Sequence, residues 1–516
     1  MERRDVLKVG ALGASGLVIA PLSGCAVSEP EPTSAFSLGV ASGLHSSSEV
    51  VLWTRLDPRL STANTVTWEV GSSAAMTSII ASGTAAVSAA QDYCVKVLVG
   101  PLAADTSYWY RFSDGTNTST VGRARTLPQA DTAVSQLKLA FTTCQHFSAG
   151  YYQAWRAVAA EDVDAVLFLG DYIYEIGLGP LGIRAEPFET ARTLSDYRSR
   201  YRLYKSDPDL QAAHAAHPFI AIWDDHEVFN DHDRVLLEAD PTRATQAHQA
   251  WFEYLPVWPI DGTRIYRTFD WGSLAKIMVT DSRQYRDAHL PGGTAVGTFL
   301  DAAHSDPNRT QLGTPQRNWL LSELTAAQTH HQVWKLIGNQ TMIAPIRFID
   351  LDEPSFRELD PSLPKHAGFY SLMDSWDGFP AERDAILAHI DSDHIDNVNF
   401  LTGDFHAFFQ ATVRKDFDDE STPIVANEFT VGAISSPSFA YAEELDMTIN
   451  GGNFVTHPTF NYADLRHNGY ATLLATPSEM VVTYYANNAR EGTMPSRSAQ
   501  WRLVAGDPTP IALPAA

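Results

Sequence analysis

Residues 137–171, LKLAFTTCQHFSAGYYQAWRAVAAEDVDAVLFLGD, decide the fold class. LKLAFTTC (137–144) is an apolar run of strand length, the residues around 151–161 have helical spacing, and AVLFLGD (165–171) is a second buried strand closing on Gly-Asp. The rhythm repeats downstream in FIAIWDD (219–225), AKIMVTD (275–281), VWKLIGN (333–339) and VNFLTGD (398–404), each an apolar run ending in polar or acidic residues. TPQRNWLLSELTAAQ (314–328) and the stretch near 380–391 read as helices between them. Buried strands alternating with helices predict α/β layers, in which ligand sites gather outside the carboxyl ends of the strands. Those ends should therefore converge on one face.

Upstream, the pattern changes. From Phe36 to about Leu127 short alternating runs, VVLWTRL, VTWEV, CVKVLVG and SYWYRF, are separated by Gly, Ser, Asn and Asp, which predicts a small antiparallel β-sandwich. This region carries no cluster of His, Cys or acidic residues, so its expected role is supporting. The expected organisation is a targeting segment over 1–25, a tether over 26–35, a sandwich over 36–128 and a catalytic domain over 136–510.

The targeting segment rests on Arg3 and Arg4, an apolar run from Val9 to Leu22, and Leu22-Ser23-Gly24-Cys25, which resembles a bacterial lipobox. The run is short and Gly/Ala-rich against the roughly 20 residues a membrane span needs. The expectation is export by the twin-arginine machinery and lipid on Cys25, giving a periplasmic or cell-surface protein anchored to a membrane. Ala26 after Cys25 resembles the outer-membrane-directed kind. Cys94 and Cys144 are then the remaining cysteines, and nothing suggests a disulfide framework.

With 516 residues and 44% hydrophobic content the chain can bury a large core. Its net charge of -24 opposes a nucleic-acid or other polyanion surface, and no nucleic-acid-binding module is expected. A phosphate ester could be held only if local cations overcome that field.

The strand ends supply Cys144, Asp171 with Tyr174, Asp224-Asp225-His226-Glu227, Asp281, Asn339, and Asp404 with His406. One Asp at a strand end is commonly a turn or cap. Several brought together would repel one another and resist ionisation unless a cation compensates them, so metal is the economical explanation. Thiolate, phenolate, imidazole and carboxylate suit a transition metal, and a carboxylate-rich neighbour suits calcium or magnesium.

In order along the chain, Cys144-Gln145, Gly170-Asp171-Tyr172-Ile173-Tyr174-Glu175, Trp223-Asp224-Asp225-His226-Glu227, Asp281-Ser282-Arg283-Gln284-Tyr285, Gly338-Asn339-Gln340, Asp374-Ser375-Trp376-Asp377-Gly378 and Thr402-Gly403-Asp404-Phe405-His406 resemble the signature of the PhoD-type alkaline phosphatases/phosphodiesterases, from about Ser37 to Arg502. The resemblance implies a four-layer metallophosphoesterase core of two mixed β-sheets flanked by helices, and a centre of iron (Fe3+) and calcium (Ca2+). It implies Cys144, Asp171, Tyr174 and His406 as the iron set, with Asp171 bridging, and Asp225 and Asp404 as calcium ligands aided by Asn339 or Asn230. Phe229 and Asp231 depart from the family pattern and leave Asn230 open. The implied catalytic set is Asp171, Asp225, His226 and Arg283. In it His226 orients a ligand or a phosphate oxygen, while Arg283 is a phosphate clamp or a structural ion pair.

The implied reaction is hydrolysis of phosphate monoesters and diesters, a metal-activated hydroxide attacking phosphorus. Phospholipase D-like cleavage of lipid headgroups is the alternative within the same resemblance. A lipid-anchored binding or adhesion protein with a degenerate core is the alternative outside it.

Overall fold

The computed structural model describes residues 31–290, 297–298, 304–351, 354–362, 368–370, 373–417, 419–438 and 459–514. The expected targeting segment, residues 1–25 with Cys25, lies outside them. No helix among the described residues is long and apolar enough to cross a membrane.

Two large sheets carry the molecule. Among the described residues the first has ten strands and the second seven, with a four-stranded sheet near the N-terminus and a small three-stranded one. At the centre of the first sheet, Leu137–Thr142, Ala165–Phe168 and Pro218–Ala221 run parallel. In the second, Ala275–Val279, Trp334–Asn339, Val398–Thr402 and Ile424–Thr430 run parallel. Helices Gln153–Ala160, Thr314–Thr329 and Pro380–Ser392 lie where apolar spacing placed them.

Alternation along the strands explains the packing. Ile277, Leu336 and Leu401 join one core cluster with Leu139, Phe141 and Leu167 of the first sheet. Their neighbours Met278, Ile337 and Phe400 join another with Leu320, Leu324, Ile386 and Leu387 of the two later helices. Successive strand residues point to opposite faces, so the second sheet packs one face on the first sheet and the other on helices.

The N-terminal region departs from a self-contained sandwich. Strands Thr65–Gly71, Ile79–Ala86, Ser107–Ser113 and Gly122–Arg125 form the four-stranded sheet. Val66, Val70, Tyr110 and Phe112 on that sheet share a core with Val40, Val50, Leu52 and Val95. However, the strands bearing that second set, Val40–Leu44, Val50–Arg55 and Cys94–Val99, form the end of the ten-stranded sheet. Val40–Leu44 pairs in parallel with Pro218–Ala221. An unsatisfied strand edge is a liability, and here one edge is covered by the central parallel strands of the first sheet, a pairing that strand spacing alone does not reveal.

Candidate metal centre

The parallel strands of both sheets end towards a common cluster of donors. Cys144, two residues past its strand, sends its amide to the Gly170 carbonyl at 3.0 Å, and the Gln145 amide bonds Asp171 O at 3.0 Å, so two loops are stitched side by side. Gly170, at φ +109°, lets the Asp224 loop come close as well: a Cβ there would lie 2.6 Å from the Asp224 amide nitrogen. Glu227, fully buried, clamps the same loops by accepting from the amides of Asp171, Tyr172 and Asp224 at 3.1, 2.6 and 2.9 Å. Burial pushes its carboxyl up to about 8 against the pull of those amides.

Four residues here hold left-handed backbone: Cys144, Asp171, Asp404 and His406, at φ +53°, +61°, +61° and +58°. A non-glycine residue in that region costs about 1–2 kcal/mol. Such conformations persist where the surroundings over-determine them, commonly at functional sites. All four are donors singled out from the sequence.

Among the described residues three groups of donors each bring their atoms within 4.8 Å of one another: Cys144 with Asp171 and His406, Asp171 with Asp225 and His226, and Asp224 with Asp225 and Asp404. Asp171 joins the first two and Asp225 the last two. Tyr174 belongs beside the first. Its hydroxyl donates to Asp171 Oδ2 at 2.7 Å, accepts from Ser436 Oγ at 2.7 Å and lies 3.2 Å from His406 Nε2. His406 is held through Nδ1 by the Pro437 carbonyl at 2.9 Å. His226 is oriented by Glu175, 2.7 Å from its Nδ1.

Arg283 lies on the carboxylate side, fully buried, and does not present itself as an open phosphate clamp. Its guanidinium donates to Asp224 through Nε and Nη2, to Asp374 Oδ2 at 2.9 Å and to Asp404 Oδ1 at 3.1 Å, with Asp225 Oδ2 at 3.9 Å. Of the two readings of this residue, this geometry is the ion pair. Asp281 serves the scaffold, accepting from the Trp223 indole at 3.0 Å and the Gln284 side chain at 2.6 Å. Asn339 donates to the Thr341 carbonyl, and its Oδ1 lies 3.5 Å from Trp376 Nε1. Asn230 is exposed and gives its amide to Glu175 at 3.0 Å.

The donor set fits cations on two counts. Asp225 Oδ1 is buried with no hydrogen-bond partner, as is Asp374 Oδ1, and an orphaned buried carboxylate oxygen costs free energy unless something satisfies it. Burial, reinforced by neighbouring carboxylates, also pushes the pKa values of Cys144, Tyr174 and Asp171 well above their ordinary values, although His226 opposes this at Asp171. Burial does the same to Asp404 although Arg283 opposes it. Burial acts on Asp225 in the same sense, yet Arg283, His226 and the Asp231 amide hold it below the usual carboxylate range. Burial pushes His406 down to about 4, which leaves its imidazole neutral and able to act as a donor. Burial opposes protonation of His226 too, but Glu175, Asp171 and Asp225 hold its imidazolium well above the ordinary value.

Glu175, Glu227, Asp374, Ser436 and Pro437 have parts in this site that strand-end reading did not assign. Glu175, Glu227 and Asp374 do sit inside quoted motifs, whereas Ser436 and Pro437 follow a strand, Ile424–Thr430, that was not singled out.

The PhoD-like phosphatase profile matches residues 139–484, and the profile of the N-terminal domain of PhoD-like phosphatases matches 23–128. Alkaline phosphatase D of Bacillus subtilis (strain 168) is 36% identical over 425 residues, covering 78% of this chain and 69% of that protein. The solved structure of PhoD superposes with a TM-score of 0.83 at 31% identity over 94% of both chains. Purple acid phosphatase PPD1 from yellow lupin (Lupinus luteus) seeds, 11% identical, matches with a TM-score of 0.53 over 90% of this chain and 74% of that one, a likeness of fold.

Proposed function

The chain belongs to the PhoD-like phosphatase family and is a phosphoric ester hydrolase, and from that premise we propose a metal-dependent enzyme acting on phosphate monoesters and diesters outside the cytoplasm. The observation that carries the metal reading is the interlocked donor set, three groups sharing Asp171 and Asp225. In this reading Cys144, Asp171, Tyr174 and His406 hold iron, and Asp225 and Asp404 hold calcium. A four-layer metallophosphoesterase core, drawn from the packing of the second sheet between the first sheet and helices, presents them at the strand ends.

Metal ions held there would supply Lewis-acid polarisation of the phosphoryl oxygens and would acidify a water nucleophile. The chain's own residues do the rest. Asp171 sits between the two donor environments and fixes their spacing. Glu175 fixes His226 through Nδ1, which leaves the other ring nitrogen for a phosphoryl or leaving-group oxygen. The imidazolium, favoured by Glu175, Asp171 and Asp225 against its burial, is a proton source for the departing alkoxide. Arg283 keeps Asp224, Asp374 and Asp404 in place.

A second reading is headgroup cleavage of phospholipids. It draws on Leu181 and Phe188, 73% and 55% exposed on the loop after Glu175. That loop is tied to the site side by the Leu178 amide on Ser148 Oγ at 3.1 Å. Export by the twin-arginine route and lipid on Cys25 stay part of the proposal on the strength of the N-terminal sequence. Turnover of a chromogenic monoester, a diester and phosphatidylcholine by the same metal-assayed preparation tests the substrate reading. Fast monoester and diester turnover supports it, and a preparation active only on phosphatidylcholine replaces it with the second. Detergent partitioning of the parent against Cys25→Ala tests the anchor, and identical partitioning would remove it.

A further inference from the structure

Tyr174 lies in a stack of three rings. Its phenol is packed between two imidazoles, with the His226 ring 4.0 Å away at an interplanar angle of 31° and the His146 ring 4.3 Å away at 35°. His226 faces the candidate centre and is partly accessible. His146 is 97% buried and belongs to none of the donor groups. Neither the strand-end motifs nor the proposed chemistry gives His146 a task.

Its surroundings are built with care for its position. The His146 ring nitrogen Nδ1 lies 3.3 Å from Ser148 Oγ and 3.4 Å from Glu186 Oε2. Glu186 is itself buried, accepting from the Ser148 amide at 3.1 Å with Arg200 3.5 Å from its other oxygen. Arg200, on helix Leu194–Lys205, also donates to the carbonyls of Pro187, Glu189 and Glu175. The loop that follows Tyr174 is therefore gathered around the same guanidinium that supports the His146 partner.

His146 also meets Tyr174 by a second route. The His146 amide donates to Ser436 Oγ at 3.1 Å, and Ser436 Oγ spends its own proton on the Tyr174 oxygen at 2.7 Å. With its single proton committed and one lone pair taken by the amide, the serine hydroxyl has a set direction. Ser435 Oγ bonds the His146 carbonyl at 2.9 Å, which closes the contact between the two loops. Ring face and backbone thus constrain the same phenol, one limiting rotation of the ring and the other the direction of its oxygen.

We propose that His146 is a positioning residue that seats the Tyr174 phenol, so that its oxygen lies between Asp171 and His406 where a metal ion would be bound. The role is mechanical: a flat ring behind the phenol, placed by Ser148 and Glu186, with no contact to substrate or metal. The inference rests on Tyr174 being an iron ligand, and its test must separate failure of that reading from failure of the seat.

The visible absorption band of a phenolate bound to ferric iron makes the separation. Protein carrying iron is compared as parent, Tyr174→Phe, His146→Ala, His146→Leu and His146→Phe. A parent without the band, or a Tyr174→Phe variant that keeps it, sinks the ligand assignment and the seat with it. A band lost only with Tyr174 validates the ligand, and the histidine variants then decide. The seat predicts that His146→Ala shifts or weakens the band and loses iron to a chelator roughly ten- to hundredfold faster, the range typical of residues that orient metal ligands. His146→Phe keeps a flat ring and is expected to return band and release rate towards the parent. A His146→Ala protein with parental band and release rate overturns the proposal. If His146→Ala does not fold, His146→Phe against His146→Leu decides: a parental band in the first and a shifted one in the second support the seat, and identical spectra overturn it.

Discussion

The two sides of the donor cluster deal with buried negative charge in opposite ways. Around Asp224, Asp374 and Asp404 the chain supplies its own cation, Arg283, fully buried and within 3.1 Å of all three carboxylates. Around Cys144, Tyr174 and His406 no arginine or lysine contact exists among the described residues, and burial instead favours the protonated thiol and phenol. One side is ordered by a resident charge. In the proposed reading, the other would be completed by an external cation that displaces its protons. The carboxylate side can thus be preorganised by folding, whereas on the proposed reading the thiol side would gain its charge balance from metal.

The comparison breaks most severely at the residue both sides depend on. Asp171→Asn is expected to lower turnover by at least about a thousandfold, beyond the ~10–100-fold usual for groups one step removed from a metal, and to reduce metal content. A turnover assay with elemental analysis of one sample checks it, and an active, metal-replete variant would refute the sharing of Asp171.

Stability should then divide the sides. Arg283→Met strips the carboxylate side of its cation and is expected to cost about 3–5 kcal/mol in metal-free protein, much of it regained with calcium. Cys144→Ser removes a neutral thiol under the same conditions and should cost about 1 kcal/mol. Chemical unfolding with and without calcium measures both, and equal losses would erase the distinction.

Glu175→Gln tests the orientation of His226. Turnover should fall about 10–100-fold with iron and calcium retained, and loss of metal would move Glu175 from orienting residue to scaffold.

The acidities predict a pH dependence with a definite sign. Burial raises the Asp171 and Asp404 carboxyls above the ordinary 3.8. The folded, metal-free protein therefore keeps protons that the unfolded chain releases above that pH. Stability of the chelated protein falls through these groups as pH rises, by up to about 1.4 kcal/mol per pH unit for each. Below 3.8 both states are protonated and the contribution vanishes. Metal-loaded protein should escape the decline, so the gap between loaded and chelated melting temperatures should widen from pH 4 towards pH 8. A constant gap would contradict the assignment.

The smallest effect belongs to the other buried thiol. Burial pushes Cys94 up to about 12, and it lies beside Asp92 and Arg55 rather than the donor cluster. Cys94→Ala should cost about 1 kcal/mol and leave metal content unchanged.

Much of this was legible in sequence because apolar runs closing on acidic residues are short-range signals. Asp171, Asp225 and Asp404 each follow such a run; parallel pairing in the first sheet brings Asp171 and Asp225 together, and the packing of the second sheet on the first brings Asp404 to them. Left-handed backbone at Cys144, Asp171, Asp404 and His406 was not legible, since only glycine announces it by residue type. The clamp by Glu227 was hidden because its partners come from separate strand ends. The ion pair of Arg283 with Asp374, 91 residues on, joins two motifs that nothing in their spacing connects. Ser107–Ser113 alternates as expected, whereas Val40–Leu44 and Val50–Arg55 are buried throughout, because their merger with the ten-stranded sheet depends on an edge pairing with residues 218–219, far along the chain.

The most direct test is metal content and turnover measured on one purified preparation, before and after chelation. The account predicts bound iron and calcium, loss of phosphatase activity as they leave, and recovery when they are restored. A protein that hydrolyses phosphate esters at full rate with neither metal bound would contradict it.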